Sequence, residues 1–465
     1  MKNMQLGDMI WRLLGLVFFM GSACPDLEAQ QVVSIHAQPG KTISLEANYK
    51  DKILVVRGRG SAAAPAIVDG KGVTVLTGNS QLYITGEYIM VQNVKVVNPD
   101  LIKGIRSVVS LRYKKETGNN CTIKNIQFIQ EPGRKPQQSY SWLEVFGQNN
   151  TVRGCLFKGK TNRNPILHVD VDNDQPDNNI IENNTFTDIP VRREEAMEAI
   201  RIGLGKGVSG TRVKDNIFRK CFGDSETISS KSSGNKITGN YFIECRSGIS
   251  LRVGNNALIA GNVFYGTRNG VRVVGKGHKI ENNCFFNVPV STSNGGGLIL
   301  MVGAPSPAAD CHYEAVSNVV VESNIFSNNV GLRVLKPSDK CNNYPRNIVF
   351  KKNKLMEANI VYALRDTSVT DFRSGIEPVL KRISSQALAR SAASAGGRRV
   401  VKKEGPLSVE AYKNGAYIFN NYDFGPGFFT PKQEGKVNEK SNDASQRYNE
   451  ALRRIKSIRA GEGSR

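Results

Sequence analysis

Residues 224–252 read DSETISSKSSGNKITGNYFIECRSGISLR, and their spacing decides the fold. Asp224 and Glu226 come first, Lys231 follows, and Arg252 lies 21 residues after Lys231. A similar period runs through the middle of the chain, where an asparagine is followed two residues later by a phenylalanine. The asparagines of this repeat are Asn184, Asn216, Asn240, Asn262, Asn283 and Asn324, at steps of 32, 24, 22, 21 and 41 residues. Repeats of roughly this length indicate a solenoid.

Short runs of alternating apolar and polar residues lie between the turns, such as NKIT at 235 and NALIA at 256. Short strands without helix-length segments between them predict an all-β chain, a parallel β-helix wound as a single-stranded solenoid. A leucine-rich repeat would show a leucine ladder, which this sequence lacks. Residues one period apart lie on adjacent rungs about 4.8 Å apart. We therefore expect Lys231 and Arg252 to be neighbours on one face.

Residues 1–29 are predicted to be a signal peptide, because a basic residue precedes the apolar core Leu13–Met20 and small residues follow it. The apolar run is too short for a transmembrane span, and no later segment provides one. We expect export to the periplasm or the cell exterior, with an outer-membrane lipid anchor on Cys24 as an alternative. Residues 30–370 are predicted to form the β-helix, and residues 371–465 a C-terminal extension of cap, linker and charged tail.

The composition is strongly basic, with 63 lysines and arginines, 41 aspartates and glutamates, and a formal net charge of +22. This balance favours a polyanionic partner. Because export is predicted, we expect an acidic polysaccharide and not nucleic acid. With four histidines in 465 residues, a histidine-rich metal site is not expected. The composition does not indicate an oligomeric state.

Two pairs of cysteines are candidates for disulfide bonds. Cys221 and Cys245 are expected on neighbouring rungs, where buried thiols are favoured over a disulfide. Cys311 and Cys341 lie in loop-like stretches, where a bridge would form in an oxidising compartment. The sequence alone does not decide whether Cys311 and Cys341 form this disulfide.

A second set of short strands carries cations, as in AIRIG at 199 and GLRVLK at 331. Counting along the coils predicts similar strands on successive rungs for Arg201, Lys231, Arg252, Arg272 and Arg333. A row of cations is destabilised by self-repulsion, but it suits a polyanion lying along the axis. For Arg201 and Arg333, a solvated side chain pointing away is an open alternative.

Cleaving a polyuronate without water requires removal of the C5 proton and expulsion of the C4 oxygen. A lysine with nearby positive charge can act as the base, and an arginine or a water can protonate the leaving oxygen. The substrate carboxylate must also be neutralised, by a cation or a metal. Lys231, with Arg252 and Arg272 close by, is the candidate base.

Asp224 and Glu226 alternate onto one strand face, which suits two oxygen ligands of Ca²⁺. Glu195 or Glu198 from the preceding coil would complete a carboxylate cluster. Salt bridges to nearby lysine or arginine explain Asp224 and Glu226 equally well, so both interpretations stay open.

These phrases together resemble polysaccharide lyase family 6, which contains chondroitinase B and many alginate lyases. The resemblance rests on the acidic-x-Glu pair, SKS with Lys231, NKITGNYF, SLRVGN with Arg252, and GVRVVGKGHKIENN, and it spans roughly residues 30–360. It implies a right-handed parallel β-helix and β-elimination, with Lys231 as the Brønsted base and Arg252 as the acid.

The resemblance also implies a calcium ion held by an asparagine and two glutamates. Glu226 matches one glutamate, Asp224 stands at the other, and Glu195 stands at the asparagine position, so all three side chains still offer oxygen. Arg272 and His278 match recurring phrases and are expected to bind the sugar. Arg201 and Arg333 are expected to do so from the row of cations.

Three functions compete. Alginate, as poly-mannuronate or poly-guluronate, is the expected substrate because that activity is the more widespread in the resembled family. Chondroitin or dermatan sulfate, cleaved at the same site, is the second hypothesis, because the row of cations also suits sulfated sugars. The third is a non-catalytic β-helix that binds glycans, which the presence of both Lys231 and Arg252 disfavours.

Overall fold

The computed structural model describes residues 30–171, 175–192, 196–205, 207–289, 295–306, 310–327, 330–356, 360–363, 408–411, 417–420 and 442–460. The predicted signal peptide at 1–29, most of the predicted extension at 371–465, and Glu195 lie outside these residues. The predicted domain boundaries therefore stay predictions.

The chain is a right-handed parallel β-helix, as predicted. Successive coils each add one short strand to three long sheets, and neighbouring strands within a sheet run parallel. Sheet 1 contains Val32–Ala37, Ile53–Arg59, Gln81–Glu87, Ser107–Ser110, Ser141–Val145, Leu167–Val169, Ile200–Ile202, Ile228–Lys231, Ile249–Val253, Asn269–Val273, Gly296–Met301, Val330–Leu335 and Ile360–Ala363, with the short pair Arg112–Tyr113 and Glu116–Asn119 at its side.

The other two sheets form the remaining walls. Sheet 2 contains Thr42–Ser44, Ala66–Asp69, Ile89–Gln92, Thr122–Lys124, Thr151–Arg153, Ile180–Glu182, Arg212–Lys214, Lys236–Thr238, Leu258–Ala260, Lys279–Glu281, Ser317–Glu322 and Arg346–Lys351. Sheet 3 contains Asn48–Lys50, Val75–Gly78, Lys95–Pro99, Gln127–Ile129, Leu156–Lys158, Thr185–Ile189, Ile217–Cys221, Tyr241–Ile243, Val263–Tyr265, Cys284–Phe286, Ile325–Ser327 and Lys354–Met356.

The predicted asparagine repeat forms a buried ladder in the turn between sheets 2 and 3. Asn262 is representative: its side-chain amide donates to Asn283 Oδ1 at 3.0 Å and to the carbonyl oxygen of Ile237 at 2.8 Å. The same side-chain bond joins successive members of the series Asn184, Asn216, Asn240, Asn262, Asn283, Asn324 and Asn353. Because buried polar groups need partners, the ladder holds adjacent coils in one register.

The residue before each ladder asparagine adopts a left-handed backbone conformation, which is why glycine, asparagine or aspartate is frequent there. At Gly239, φ is +65°, and an added Cβ would approach Asp215 Oδ1 to 2.4 Å. The close approach of coils therefore explains this glycine.

A stack of phenylalanines fills the core beside the ladder. Its members are Phe128, Phe157, Phe186, Phe218, Phe242, Phe264, Phe285 and Phe326, with successive ring centroids 4.5–4.9 Å apart. Each stacked pair adds about 0.5–1.5 kcal/mol beyond the burial of apolar area. The Asn-x-Phe phrase thus encodes a polar ladder and an apolar stack two residues apart.

The cysteines follow the prediction. Cys221 and Cys245 are buried free thiols, and burial raises the pKa of Cys221 well above its usual value. Cys311 and Cys341 form a disulfide, so the bridge that the sequence left open is present.

Within the predicted charged tail, the structure contains the helix Asn442–Ala460, which lies against the outer face of sheet 3. Ile455 and Ile458 belong to one buried cluster with Ile243 and Phe286. An antiparallel pair, Ser408–Ala411 with Tyr417–Asn420, is also described. Among the described residues, no helix is both long and apolar enough to span a membrane.

Candidate active site

The row of cations lies on the outward face of sheet 1. Arg201 illustrates the cause: Ile200 and Ile202 on either side of it point into the core, so its own side chain points outward. The strand register places one column of residues across the coils, in the order Arg201, Ser229, Ser250, Arg272, Ile299 and Arg333. Arg201, Arg272 and Arg333 therefore share a column, as predicted, but neutral residues separate them.

Lys231 and Arg252 are displaced from that column, which corrects the prediction of a single row. Lys231 lies two residues beyond Ser229, and Arg252 lies two beyond Ser250. A register shift between Ser230 and Lys231 pairs Lys231 with Val253. Both cations stay on neighbouring strands of sheet 1, beside the column.

Glu198 is the buried carboxylate that contacts Lys231. The Arg201 guanidinium donates to it through two nitrogens, at 2.9 and 2.6 Å, and Lys231 Nζ lies 3.5 Å from its Oε1. Burial alone would raise the pKa of Glu198, but the Arg201 hydrogen bonds and the charges of Arg201 and Lys231 bring it below its usual value. Glu198 therefore stays ionised and holds Lys231 at the edge of the column.

Glu226 is the second buried carboxylate. It accepts hydrogen bonds from Ser229 Oγ and Arg272 Nη2, and Arg252 Nη1 lies 3.6 Å from its Oε1. Arg272 Nε also donates to Ser250 Oγ at 2.9 Å. The salt-bridge interpretation is thus realised for Glu226, which is hydrogen-bonded by Arg272 and makes a longer ion pair with Arg252.

Asp224 has a different environment. Its Oδ2 accepts the backbone N–H groups of Ala196 at 2.5 Å and Met197 at 3.1 Å, and its Oδ1 accepts that of Glu226 at 3.0 Å. Burial and repulsion from Glu198 and Glu226 raise the pKa of Asp224. A cation placed beside these carboxylates would relieve that repulsion.

The donor set of Asp224 and Glu226 consists of hard oxygen atoms, which fits calcium chemistry. The described part of the chain contains no group of three or more acidic, histidine or cysteine side chains arranged to hold a metal ion. Glu195, the third predicted ligand, lies outside that part. A calcium site here therefore stays a prediction.

His278 does not have the place expected for a sugar-binding residue. It is 2% exposed, its Nδ1 accepts the N–H of Ala257 at 3.1 Å, and its Nε2 lies 2.9 Å from the carbonyl oxygen of Val274. Both ring nitrogens are used within the turn between sheets 1 and 2. We therefore assign His278 a structural role and no sugar contact.

Tyr313 is a site residue that sequence reasoning missed. Its hydroxyl lies 3.1 Å from Arg252 Nη1, across 61 residues of sequence, and its ring centroid lies 5.0 Å from Arg252 Cζ. No repeat phrase places Tyr313 near Arg252. The only sequence signal close to it is Cys311, two residues earlier.

The outward face of sheet 1 thus carries Lys231, Arg252 and Arg272 beside the buried carboxylates of Glu198 and Glu226. The family model for chondroitinase B matches residues 26–368. Because this match covers most of the chain, the protein belongs to the chondroitinase B family and is a polysaccharide lyase. A comparison with curated protein sequences gives no match.

Solved structures of polysaccharide lyase family 6 share the fold. A mannuronic-acid-specific enzyme from human gut microbiota is 24% identical, with a TM-score of 0.60 over 71% of this chain and 82% of that one. The alginate lyase AlyGC is 23% identical, with a TM-score of 0.64 over 81% of this chain and 60% of that one. Pedsa3628 from Pseudopedobacter saltans is 24% identical, with a TM-score of 0.59 over 70% and 84%.

The burial of His278 predicts a pH-dependent stability. Desolvation lowers its pKa to about 4 in the folded protein, against about 6.5 for an unfolded histidine. Between these values the unfolded chain binds more protons, so stability should fall by about 3 kcal/mol as the pH drops from 6.5 to 4. Urea unfolding at several pH values measures this loss.

His278→Gln should flatten the pH dependence between pH 6.5 and 4, whereas His312→Gln, at an exposed histidine, should leave it unchanged. If the free energy of unfolding changed with pH equally in wild type and in His278→Gln, the assignment of His278 as a buried residue with a lowered pKa would be wrong.

Proposed function

We propose that this protein is an exported lyase that cleaves alginate by β-elimination at the outward face of sheet 1. The observation that carries the proposal is the placement of Lys231 and Arg252 on neighbouring strands of one face. Each cation contacts its own buried carboxylate, Glu198 for Lys231 and Glu226 for Arg252. A protein that only binds glycans has no need for this paired arrangement.

In the proposed reaction Lys231 removes the proton on C5 of a uronate. The electron pair of the C5–H bond forms a double bond between C4 and C5, the bond from C4 to the glycosidic oxygen breaks, and Arg252 supplies a proton to that oxygen. Lys231 must be neutral to accept the proton, so contact with Glu198 has to weaken as substrate enters. Glu198 retains its two hydrogen bonds from Arg201, so its charge stays paired.

The column of Arg201, Arg272 and Arg333 supports a path for the polymer along sheet 1. Rungs lie about 4.8 Å apart. Arg272 lies three rungs from Arg201 and two rungs from Arg333, so the arginines can meet carboxylates spaced along the polymer and not every successive one. Arg272 shares Glu226 with Arg252, the proposed acid, whereas Arg201 shares Glu198 with Lys231 and donates two hydrogen bonds to it. We propose Arg272 as the residue that orients the uronate carboxylate.

We further propose that calcium binds to Glu195, Asp224 and Glu226. When bound, it would supply positive charge that stabilises the enolate form of the substrate carboxylate. The raised pKa of Asp224 supports this proposal, because the cation would offset the repulsion from Glu198 and Glu226.

Alginate is proposed over sulfated glycosaminoglycans because two of the similar structures are named as a mannuronic-acid-specific lyase and an alginate lyase. Chondroitin or dermatan sulfate is the second candidate. The chondroitinase B family model and the net charge of +22 favour it.

Export is proposed from the signal-like residues 1–29, and the Cys311–Cys341 disulfide supports an oxidising compartment. A lipid anchor on Cys24 would keep the exported protein at the outer membrane.

Absorbance near 230 nm, where unsaturated uronates absorb, tests the function with poly-mannuronate, poly-guluronate and dermatan sulfate offered separately. Lys231→Ala should lower kcat by about 100- to 10,000-fold, because it removes the proposed base. Lys236→Ala, at an exposed lysine on the next strand, is the matched control and should keep full activity.

If absorbance rises with dermatan sulfate alone, the substrate is the sulfated glycosaminoglycan and not alginate. If folded protein produces no absorbance change with any of the three polymers, the lyase proposal fails and glycan binding without catalysis becomes the favoured function. An active Lys231→Ala variant would remove Lys231 from the mechanism.

Calcium binding should be visible without turnover. At about 100 times its dissociation constant, a ligand stabilises the folded state by about 2.7 kcal/mol, so calcium should raise the melting temperature by several degrees and a chelator should reverse the rise. Asp224→Ala should abolish the shift, whereas Asp310→Ala, at an exposed aspartate, should retain it. A melting temperature and a rate that calcium and chelator leave unchanged would exclude the metal.

A further inference from the structure

Two loops that follow neighbouring sheet 1 strands are joined to each other. The first follows Gly296–Met301 and the second follows Val330–Leu335. Gly303 and Asn343 exchange backbone hydrogen bonds of 2.9 and 3.0 Å between the loops, and the Cys311–Cys341 disulfide closes them further out. We call residues 303–306, 310–316 and 336–345 the stapled loops.

The stapled loops bring Tyr313 to Arg252. The N–H of Ala304 donates to the carbonyl oxygen of Tyr313 at 2.8 Å, and the Tyr313 ring packs partly buried against the core. Its hydroxyl accepts a hydrogen bond from Arg252 Nη1 at 3.1 Å. The ring also lies within cation–π distance of the guanidinium, with 5.0 Å between its centroid and Cζ.

Arg252 needs such a contact because its other anchor is weak. Its side chain is 36% exposed, and Glu226, 3.6 Å away, is bonded more closely by Arg272. An arginine side chain has many rotamers, whereas its planar guanidinium must face the leaving oxygen in one orientation. The Tyr313 hydroxyl fixes one edge of that plane and leaves other N–H groups for the substrate.

We propose that Tyr313 is a positioning residue for Arg252, and that the Cys311–Cys341 disulfide sets its position by closing the stapled loops. The inference rests on the proposed lyase function and deepens it, because it assigns the orientation of the acid to a loop outside the repeat. The phenol accepts a hydrogen bond from the guanidinium and undergoes no covalent step.

The sheet beneath the loops does not depend on the disulfide. Gly296–Met301 and Val330–Leu335 pair directly, with Leu298 opposite Leu332 and Leu300 opposite Val334. Opening the disulfide should therefore release the loops while the coils stay paired. This separation allows the role of Tyr313 to be tested apart from folding.

Tyr313→Phe is the first test, since it keeps the ring over Arg252 and removes only the hydroxyl. Loss of one hydrogen bond to a charged group should lower kcat about tenfold with KM within about twofold and the melting temperature unchanged. Tyr344→Phe, at a partly buried tyrosine in the second stapled loop, is the matched control and should keep the wild-type kcat.

Coupling to the disulfide is the second test. The double variant Cys311→Ser, Cys341→Ser should show a similar fall in kcat, and adding Tyr313→Phe to it should cost little more, because both changes remove one interaction. If the disulfide acted only through global stability, the fold-losses of kcat from removing the disulfide and from Tyr313→Phe would multiply in the combined variant. Either multiplying losses or a wild-type kcat in Tyr313→Phe overturns the proposal.

A crystal structure of the Cys311→Ser, Cys341→Ser variant decides the question independently of turnover. The expected result is Tyr313 withdrawn from Arg252 and a disordered Arg252 guanidinium, with the sheet unchanged. Retention of the hydrogen bond between Tyr313 and Arg252 would refute the role of the disulfide. If wild-type protein cleaves no uronate polymer, the proposed function fails, and this structure still tests the positioning.

Discussion

In the asparagine ladder, each buried side-chain amide is hydrogen-bonded to the asparagine of the next coil, within a turn that is shielded from solvent. An amide at each position receives bonds from one neighbouring coil and donates to the other, as Asn262 does between Asn240 and Asn283. A shift of one coil by one residue would leave several buried groups without partners, at about 1–3 kcal/mol each. The ladder therefore fixes the register, and every side chain on sheet 1 takes its place from that register.

The site combines this rigid register with buried charge. Glu198 and Glu226 are each nearly enclosed, and each is paired with outward-facing cations. Removing a carboxylate from water is costly unless cations compensate for it. The two glutamates thus hold Lys231 and Arg272 in place before substrate arrives, and the same two charges repel the carboxylate of Asp224.

The period of the repeat was enough to predict the fold, the recurrence of the asparagines on successive coils and the neighbouring strands that carry Lys231 and Arg252, because these depend on local spacing. Three features escaped it for physical reasons. The register shift at Lys231 moves that residue off the column, and the spacing of residues in the sequence does not reveal such a shift. His278 fits a family phrase, but burial uses both its nitrogens. Tyr313 reaches Arg252 through a loop whose path is set by a disulfide, not by the repeat.

The central claim is that an acidic polysaccharide is cleaved on sheet 1 between Lys231 and Arg252. A crystal structure of the Lys231→Ala variant with a bound alginate tetrasaccharide tests it most directly. The account predicts sugars running along the column of Arg201, Arg272 and Arg333, with one C5 facing position 231 and the adjoining glycosidic oxygen facing Arg252. An ordered oligosaccharide on the face of sheet 2 or sheet 3, with sheet 1 free of sugar, would contradict the account.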